Sequence, residues 1–466
     1  MIERLRAHPL IVIIALAAAV RLAVLLAFPS VFAFEQTGAV QGSEAYDEYA
    51  QNLLATGVYG RTPGVADAAI PPLYSYALAG VYGTIGRGSI QVGLFHILLD
   101  ALSMVMLHHI GKRLLPRGQA VGLLVALLYA LYPYLIFQNL TVLDNPLFIT
   151  LLYAFILLMI LLRESPALDR GTWLLAGLGG LVLGLSMLTR PILPPLAVLV
   201  ALWFLFRLNL WQTILRLLPV ALVSGAVLGL WIIRNERVYH AFVPMTTTSG
   251  ANFWQGNSRF TVPVFRAGYD VQWTTPTPDM QTQDLYSREA DAERFALGFA
   301  YLRENPDKVP ELLWVKFGVH WSIDIAPLYN PKPGQRLDLD DDGNFIIRQV
   351  DVDGQLLTYG ANDPITAYAT PTFDIGRVIH RYYWGGLFAL GLVGVALTLR
   401  RWRDVSLLWF AQISMTAVYI FFHPSTRYRA PTDPLWFVFS AYALVWAWGW
   451  WRARRQRPTL AQAQTS

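Results

Sequence analysis

Arginine residues stand at the ends of several long apolar segments of this chain. Arg190 ends one segment, Arg234 and Arg237 follow another, and Arg427 and Arg429 lie between two more. A planar guanidinium can hold a phosphate through two parallel hydrogen bonds. Such side chains can also extend toward a polar boundary or pair with nearby acids. The pattern predicts phosphate contact by Arg427 or Arg429 first, with Arg190 and Arg234 as further candidates.

Carboxylates that could accept a proton occur in the first polar segment, residues 29–69. The run 42–54 has the periodicity of an amphipathic helix and places Glu44 and Asp47 on one face. A positioned carboxylate can act as a general base toward a hydroxyl group. A solvated acidic face is the alternative interpretation. Asp144, at the start of a later apolar segment, is a second candidate acid.

Two further groups of charged residues have structural alternatives. Arg21 and Asp100 lie inside apolar segments, where an ion pair between them is the favoured explanation. The run Asp338–Gly343 resembles the start of a calcium loop, but its twelfth position is Gln349 rather than Glu. An acidic turn is therefore favoured. A divalent cation is compatible with the sequence, which defines no cofactor and no metal ligands.

The composition indicates what must position these residues. Of the 466 residues, 55% are hydrophobic and 14% are charged, against roughly 25% charged in a typical soluble domain. The chain has no cysteine, which excludes disulfides, thiolate catalysis and Cys-ligated metals. A water-soluble globular enzyme is excluded because too few polar groups are available to cover its surface.

Apolar runs long enough to cross a membrane recur along the chain, since a crossing needs about 20 mostly apolar residues. The ten runs are 9–28, 91–110, 118–136, 143–162, 172–188, 191–207, 213–233, 384–399, 405–422 and 433–451. The run Ile70–Ile85 contains Pro71, Pro72 and several glycines, and we expect a juxtamembrane or broken segment there. No internal repeat is apparent.

Lysine and arginine cluster in every second short loop, which predicts cytoplasmic termini and places residues 29–69 and 238–382 outside. Residues 239–380 contain 18 acidic and 11 basic residues, whereas the rest of the chain is strongly basic. The predicted organisation is a membrane domain (1–237), an exterior or periplasmic domain (238–382), C-terminal membrane helices (383–451) and a cytoplasmic tail (452–466). The predicted location is the inner (plasma) membrane.

The acidic exterior segment contains signals for regular structure. Helices are expected at 291–304 and 310–320, followed by a hairpin with strands 345–350 and 355–359 around Asp353-Gly354. The expected fold class is therefore an all-α polytopic membrane protein with about ten transmembrane helices and a small α+β exterior domain.

Seven segments, taken in order, resemble the GT-C class of polyprenyl-phosphate-dependent glycosyltransferases. The nearest group is glycosyltransferase family 39, which includes protein O-mannosyltransferases and the lipid A aminoarabinose transferase. The segments are 45–57, 71–74, 139–148, 189–191, 234–239, 250–257 and 427–431. They cover most of the membrane part, whereas residues 263–372 show no family pattern.

The resemblance implies a sugar carried on a polyprenyl phosphate within the membrane. A carboxylate deprotonates the hydroxyl of an acceptor glycan, lipid or protein, which attacks the anomeric carbon with inversion. Arginines stabilise the departing lipid phosphate. The matching segments add Tyr46, Asn252 and Asn257 as substrate-binding candidates.

The chain departs from the family at one position. Many relatives have an acid four residues before the tyrosine that corresponds to Tyr46, and this position is Gly42 here. If the mechanism is retained, the base is Asp47 or Glu44, with Asp47 preferred. Asp144 stands where relatives often have a second acid.

Two other classes compete with a transferase. A lipid or polysaccharide transporter or flippase would predict inverted repeats and broken helices near the midplane. An envelope scaffold without chemistry would leave exterior arginines beside an acidic helix unexplained. Nucleic-acid binding is disfavoured because the basic residues cluster at the ends of apolar runs.

Overall fold

The computed structural model describes residues 8–28, 34, 43–329, 335–340, 343, 345–350, 356–357 and 371–455. Position 42, where the chain departs from the family pattern, lies outside the described residues, as does most of the tail 452–466. The helices of the N-terminal half are α1 (Pro9–Ala27), α2 (Ser43–Thr56), α3 (Pro72–Ile85), α4 (Ser89–Leu114), α5 (Gly118–Ala130), α6 (Pro133–Gln138), α7 (Asn145–Glu164), α8 (Arg170–Thr189), α9 (Pro194–Leu205) and α10 (Leu210–Tyr239).

The C-terminal half contains further helices and three strands. These are α11 (Ser249–Gly256), α12 (Thr261–Arg266), α13 (Val271–Thr274), α14 (Arg288–Glu304), α15 (Val309–His320), β1 (Gln335–Leu339), β2 (Phe345–Val350), β3 (Leu356–Leu357), α16 (Pro371–Thr398), α17 (Trp402–Phe421), α18 (Thr426–Arg429) and α19 (Asp433–Arg455). A short 3-10 turn, Leu399–Arg401, joins α16 to α17.

The protein is an all-α polytopic membrane protein, as predicted. Within the described residues, six segments are long and apolar enough to cross a membrane, and one of them, 375–421, contains two consecutive helices. Each of the ten predicted apolar runs contains a helix. Large apolar side chains such as Leu222, Leu230 and Val198 are exposed on the outside of the bundle, where lipid would cover them.

Prolines and small polar side chains begin many of these helices. Proline occupies the first or second position of α1, α3, α7 and α9, where its missing N–H costs no helical hydrogen bond. Asp169 caps α8 by accepting from the Thr172 amide, and Asn209 caps α10 in the same way. These residues therefore mark where one helix stops and the next begins along the apolar runs.

Glycines allow close packing of α8 against α10 and of α16 against α19. A Cβ added at Gly180 would lie 2.6 Å from the Val220 carbonyl oxygen, and one at Gly394 would lie 2.0 Å from the Phe439 carbonyl oxygen. Small residues at such crossings let helix backbones approach in a membrane. The bundle around the site depends on these contacts.

The expected pair between Arg21 and Asp100 is present inside the bundle. Arg21 Nε donates to Asp100 Oδ2, and both side chains are buried. Tyr129 and Asn139 donate to the other carboxylate oxygen at 2.5 and 2.6 Å. Buried charges are retained when they are paired and hydrogen-bonded in this way. The pair joins α1 to α4 and has a structural role.

Within the segment 70–85, expected to be juxtamembrane or broken, residues 72–85 form an unbroken helix, α3. Pro71 precedes the helix and Pro72 opens it, so neither interrupts a helical hydrogen bond. Helices α2 and α3 pack together over the ends of the membrane helices, with Tyr74 and Leu78 in their shared core. We call this end of the bundle, which also carries α11 to α15, the exterior end, after the predicted orientation.

The expected exterior helices correspond to α14 and α15. The expected pairing of two later strands is also present: β2 pairs antiparallel with β3 through Gln349–Leu357 and Val350–Leu356. The predicted turn at Asp353-Gly354 lies outside the described residues. Strand β1, which pairs antiparallel with β2, was not predicted because acidic residues interrupt its apolar pattern.

Candidate functional site

Asp144 and Arg190 form a buried ion pair at the exterior end. Asp144 directly precedes α7, and Arg190 follows α8, which ends before Pro191. Arg190 Nε lies 2.5 Å from Asp144 Oδ2, and its NH2 lies 2.6 Å from Oδ1. Within the described part of the chain, the buried NH1 of Arg190 has no hydrogen-bond partner. That nitrogen can donate to a ligand.

Arg427 lies on the short helix α18, which connects the exterior segment to the membrane bundle. The Thr426 amide donates to the Ala326 carbonyl at 2.6 Å, and the Thr426 hydroxyl accepts from the Ala326 amide at 2.9 Å. The Arg427 guanidinium lies over the Tyr428 ring at 5.1 Å. The same ring lies 5.9 Å from the Arg190 guanidinium. Tyr428 therefore separates and orients the two cations.

No carboxylate forms an ion pair with Arg427 among the described residues. Its side chain is half-buried, and its Nε has no partner there. The carboxylates of Asp144 and Asp270 act on it only at longer range, and a partly desolvated guanidinium without a direct partner is costly. Such a group is suited to receive an anionic ligand.

Tyr46 brings the amphipathic helix α2 to this cluster. Its ring packs edge-on against Tyr74, with 5.1 Å between the ring centroids. Burial raises the pKa of Tyr46 above its ordinary value, and the charge of Asp144 raises it further, with Arg190 and Arg427 opposing. The Tyr46 hydroxyl therefore remains protonated and available as a donor. Tyr46, Asp144, Arg190 and Arg427 come from four distant parts of the sequence.

Arg429 points away from this cluster into the protein. Its Nε donates to Asp433 at 3.0 Å, and its NH1 donates to the carbonyls of Ser322 at 2.6 Å and His320 at 2.9 Å. The side chain is fully buried and packs over Trp384. In this arrangement Arg429 connects α18 to α15 and α19.

Asp47 accepts four hydrogen bonds in this structure. Oδ1 receives Tyr82 at 2.8 Å and Arg87 Nε at 2.9 Å. Oδ2 receives Gln51 and Arg87 NH2, both at 2.8 Å. A carboxylate has about four lone-pair positions, so all are occupied. Glu44, one turn earlier in α2, is half-buried.

Arg234, Asn252 and Asn257 lie at the exterior end without joining the cluster directly. Arg234 donates to the carbonyls of Asp67 and Tyr59, both at 2.6 Å, and thereby holds the loop after α2. Asn252 Oδ1 lies 3.2 Å from His423 Nε2. Asn257 accepts from Lys316 Nζ at 2.8 Å and donates to the Phe421 carbonyl at 2.9 Å.

Two residues near Arg427 were not found from the sequence. Tyr428 lies between Arg427 and Arg429, and this place in the sequence was the one signal that could have identified it. Asp270 lies in the segment 263–372, where no family pattern is present, so the sequence contained no signal for it. Asp270 and Arg427 are electrostatically coupled in the structure.

An apolar groove of about 330 Å³ lies beside the cluster. It is lined by Pro191, Ile192, Pro194, Pro195, Ala417, Val418, Phe421 and Phe422. The groove therefore runs between the start of α9 and the end of α17. Arg190 directly precedes the residues of one wall in the sequence, and Arg427 follows those of the other wall. The apolar surface of the groove therefore adjoins the two arginines.

The described residues contain no group of three or more His, Asp or Glu side chains that could hold a metal ion. Asp341 and Asp342 of the acidic run lie outside these residues. The described side chains therefore do not identify ligands for a divalent cation.

Solved structures with a similar fold include the archaeal oligosaccharyltransferase AglB from Archaeoglobus fulgidus. Its complex with an inhibitory peptide and a dolichol-phosphate gives a TM-score of 0.53 at 13% identity, covering 97% of this chain and 52% of that chain. The apo form of the Archaeoglobus fulgidus enzyme gives 0.55 at 13% identity, covering 96% and 52%. The chain thus spans about half the length of the oligosaccharyltransferase that it matches.

ArnT from Cupriavidus metallidurans bound to undecaprenyl phosphate matches with a TM-score of 0.42 at 13% identity, covering 93% of this chain and 76% of that chain. A scan against protein-family models and a search of curated proteins find no match to the sequence. The chain therefore shares the fold of the archaeal oligosaccharyltransferase, whereas its predicted membership of the GT-C class and of family 39 stays a prediction.

Proposed function

We propose that this protein is a membrane glycosyltransferase that moves a sugar from a polyprenyl-phosphate donor to an exterior acceptor hydroxyl, with inversion. The observation that carries the proposal is the Arg427 guanidinium, which is half-buried at the exterior end and has no carboxylate partner in the described chain. A bound phosphate would supply a direct ionic partner.

The surroundings of Arg427 fit a phosphate attached to a lipid. Arg190 can add a hydrogen bond from NH1, and Tyr46 can add one from its hydroxyl. The apolar groove beside them offers the isoprenoid chain a surface at the level of the membrane. The fold similarity supports the class, because one matched structure contains a dolichol-phosphate. The donor sugar and the acceptor belong to the proposal.

The chemistry requires a base and a stabilised leaving group. The acceptor oxygen attacks the anomeric carbon while the bond from that carbon to the phosphate oxygen breaks. Arg427 and Arg190 would stabilise the negative charge that develops on the lipid phosphate. Arg429 and Arg234 act from a distance in this proposal, because Nε and NH1 of Arg429 and both terminal nitrogens of Arg234 already donate to protein acceptors.

For the base, the sequence predicts Asp47 ahead of Glu44, with Asp144 as the second acid. Asp47 can take a proton only after one of its four donors moves away. Turnover of Asp47→Asn, Glu44→Gln and Asp144→Asn, each compared with wild type, tests this prediction. Retained donor binding with lost turnover in one of these variants would support the sequence prediction, whereas wild-type turnover in all three would exclude it.

Binding of undecaprenyl phosphate tests the proposed function. Arg427→Ala should weaken binding by roughly 10- to 150-fold, the equivalent of about 1.5–3 kcal/mol for a charged hydrogen bond. Arg427→Lys should recover part of the affinity because it restores the charge without the fork. Arg237→Ala is the control, since Arg237 is an exposed arginine at the same end.

Equal affinity of wild type and Arg427→Ala for undecaprenyl phosphate would remove Arg427 from the site. Binding without consumption of any undecaprenyl-phosphate sugar, together with lipid movement between leaflets in proteoliposomes, would instead favour the transporter class.

A further inference from the structure

We propose that Asp270 is the general base that deprotonates the acceptor hydroxyl, an inference that rests on the proposed glycosyl transfer. Asp270 belongs to the exterior segment and directly precedes α13. It is absent from every segment that carries the family resemblance. Three features support the assignment: its position, its hydrogen-bonding capacity and its electrostatic surroundings.

Backbone contacts fix the position of Asp270, and a chain of hydrogen bonds connects it to the cluster. Its amide donates to the Tyr329 carbonyl at 2.9 Å. Its Oδ1 accepts from the Gln272 amide at 2.9 Å, and Gln272 Oε1 accepts from the Tyr428 hydroxyl at 2.7 Å. The ring of Tyr428 is the one that lies beside both Arg190 and Arg427. Asp270 is therefore linked to the cluster through Gln272 and Tyr428.

The carboxylate of Asp270 retains capacity to accept a proton. Among the described residues, the Gln272 amide is its one hydrogen-bond donor. Asp47 has four donors, and Asp144 is held by both arms of the Arg190 fork. With about four lone-pair positions on each carboxylate, Asp47 has none open, Asp144 is bound by both arms of a guanidinium, and Asp270 is the least engaged of the three.

The electrostatic surroundings of Asp270 suit a base. Burial raises the pKa of Asp270, while the Gln272 amide and Arg427 oppose the rise. The other groups coupled to it are Tyr428 of α18 and Tyr134 of α6. Arg427 forms no ion pair with it within the described chain, so the carboxylate keeps its basicity. A raised carboxyl pKa brings a base closer to the pH at which it works.

The proposed step balances within the site. The acceptor O–H proton passes to a carboxylate oxygen of Asp270 as the acceptor oxygen bonds to the anomeric carbon. The bond from this carbon to the phosphate oxygen breaks, and its electron pair stays on the phosphate beside Arg427. Asp270 then returns its proton to water. No other reactant is required.

The test measures turnover of undecaprenyl-phosphate sugars and binding of undecaprenyl phosphate by the full chain. Asp270→Asn keeps the oxygen that accepts from the Gln272 amide and removes the base. Turnover should fall by about 10²- to 10⁴-fold, while the Kd for undecaprenyl phosphate should change by less than about threefold, a free-energy change below roughly 0.7 kcal/mol. Asp270→Glu should recover part of the rate.

A matched control is Asp291→Asn. Asp291 is also a half-buried acid of the exterior segment, accepts from one backbone amide at 2.6 Å and has a pKa raised by burial. It is coupled to Arg294 and not to Arg427. Its variant should keep wild-type turnover.

The pH profile separates catalysis from a structural role. The wild-type rate should fall as the pH drops through the raised pKa of Asp270, because the protonated acid is no base. The residual rate of Asp270→Asn should lack this acidic limb. Wild-type turnover and an unchanged profile in Asp270→Asn would overturn the assignment. A wild-type protein that consumes no donor would overturn the proposed function instead.

Discussion

At the scale of single residues, charge pairing divides the arginines of the exterior end into two groups. Arg190 and Arg429 are buried against the carboxylates of Asp144 and Asp433. Arg427 has an aromatic ring beside it and no paired carboxylate in the described chain. Two positions in one short helix thus differ, since Arg429 holds α18 through its hydrogen bonds whereas Arg427 is proposed to bind the donor phosphate.

The Asp144–Arg190 pair should behave as a structural ion pair when it is broken. Asp144→Asn leaves a buried guanidinium without its counter-charge, so the free energy of unfolding should fall by roughly 3–5 kcal/mol. Thermal melting of the detergent-solubilised protein checks this expectation. The double variant Asp144→Leu with Arg190→Met should melt closer to wild type, because no charge is then left unpaired. A single variant as stable as wild type would contradict the prediction.

Sequence reasoning could single out residues that lie beside an apolar run, but it could not identify residues whose placement depends on tertiary contacts. Asp144, Arg190 and Arg427, which the structure brings together, stand out in the sequence because each lies near the end of an apolar run. Arg87 was missed as the partner of Asp47, since the pair spans 40 positions and two helices. Asp270 was missed because no local pattern marks a carboxylate that becomes half-buried only when α18 packs against the exterior segment.

At the scale of elements, close packing of α8 and α10 positions Arg190, which immediately follows α8. Gly180→Ala should destabilise the protein because its Cβ would meet the Val220 backbone oxygen at 2.6 Å. We expect a cost of about 1–3 kcal/mol, as for overpacking in a core. The control is Gly177→Ala on the same helix, where nothing lies within 4 Å of the added Cβ. Melting curves of both variants check the difference, and equal melting temperatures would argue against this contact.

Helix α15 docks on the end of α17 through a buried lysine. Lys316 Nζ donates to Asn257 at 2.8 Å and to the Ile420 carbonyl at 2.9 Å. Burial lowers the pKa of Lys316 from 10.5 to about 7. Between pH 7 and 10.5, Lys316 is protonated in the unfolded chain and neutral in the folded protein. Stability should therefore rise with pH across this window, by at most about 1.4 kcal/mol per unit.

Lys316→Met removes this titration. Its melting temperature should depend less on pH between 7 and 10 than that of wild type. Lys308→Met is the control, because Lys308 is exposed at the start of the same helix. Identical pH dependence in wild type and Lys316→Met would exclude the lysine as the source.

At the scale of the whole molecule, the sequence was most informative about the membrane helices. Hydrophobic length alone located each of the ten runs, because a membrane helix satisfies its own backbone within one segment. The exterior segment was harder to predict. Its helices followed from local periodicity, but β1 depends on pairing with β2. The candidate site lies where the membrane helices meet the exterior segment, and for that reason only some of its residues could be predicted from the sequence.

The orientation of the chain in the membrane is the remaining large-scale prediction. The loops rich in Lys and Arg alternate with the membrane helices, and this bias predicts that the end carrying Arg427 and Asp270 faces outward. The cysteine-free chain allows a direct test with single-cysteine variants. Asp307→Cys, at an exposed position before α15, should react with an impermeant thiol reagent in intact cells. Gln119→Cys, at the exposed start of α5, should react only after permeabilisation. The reverse pattern would place the candidate site in the cytoplasm, where the lipid-linked sugar would have to be presented from the opposite leaflet.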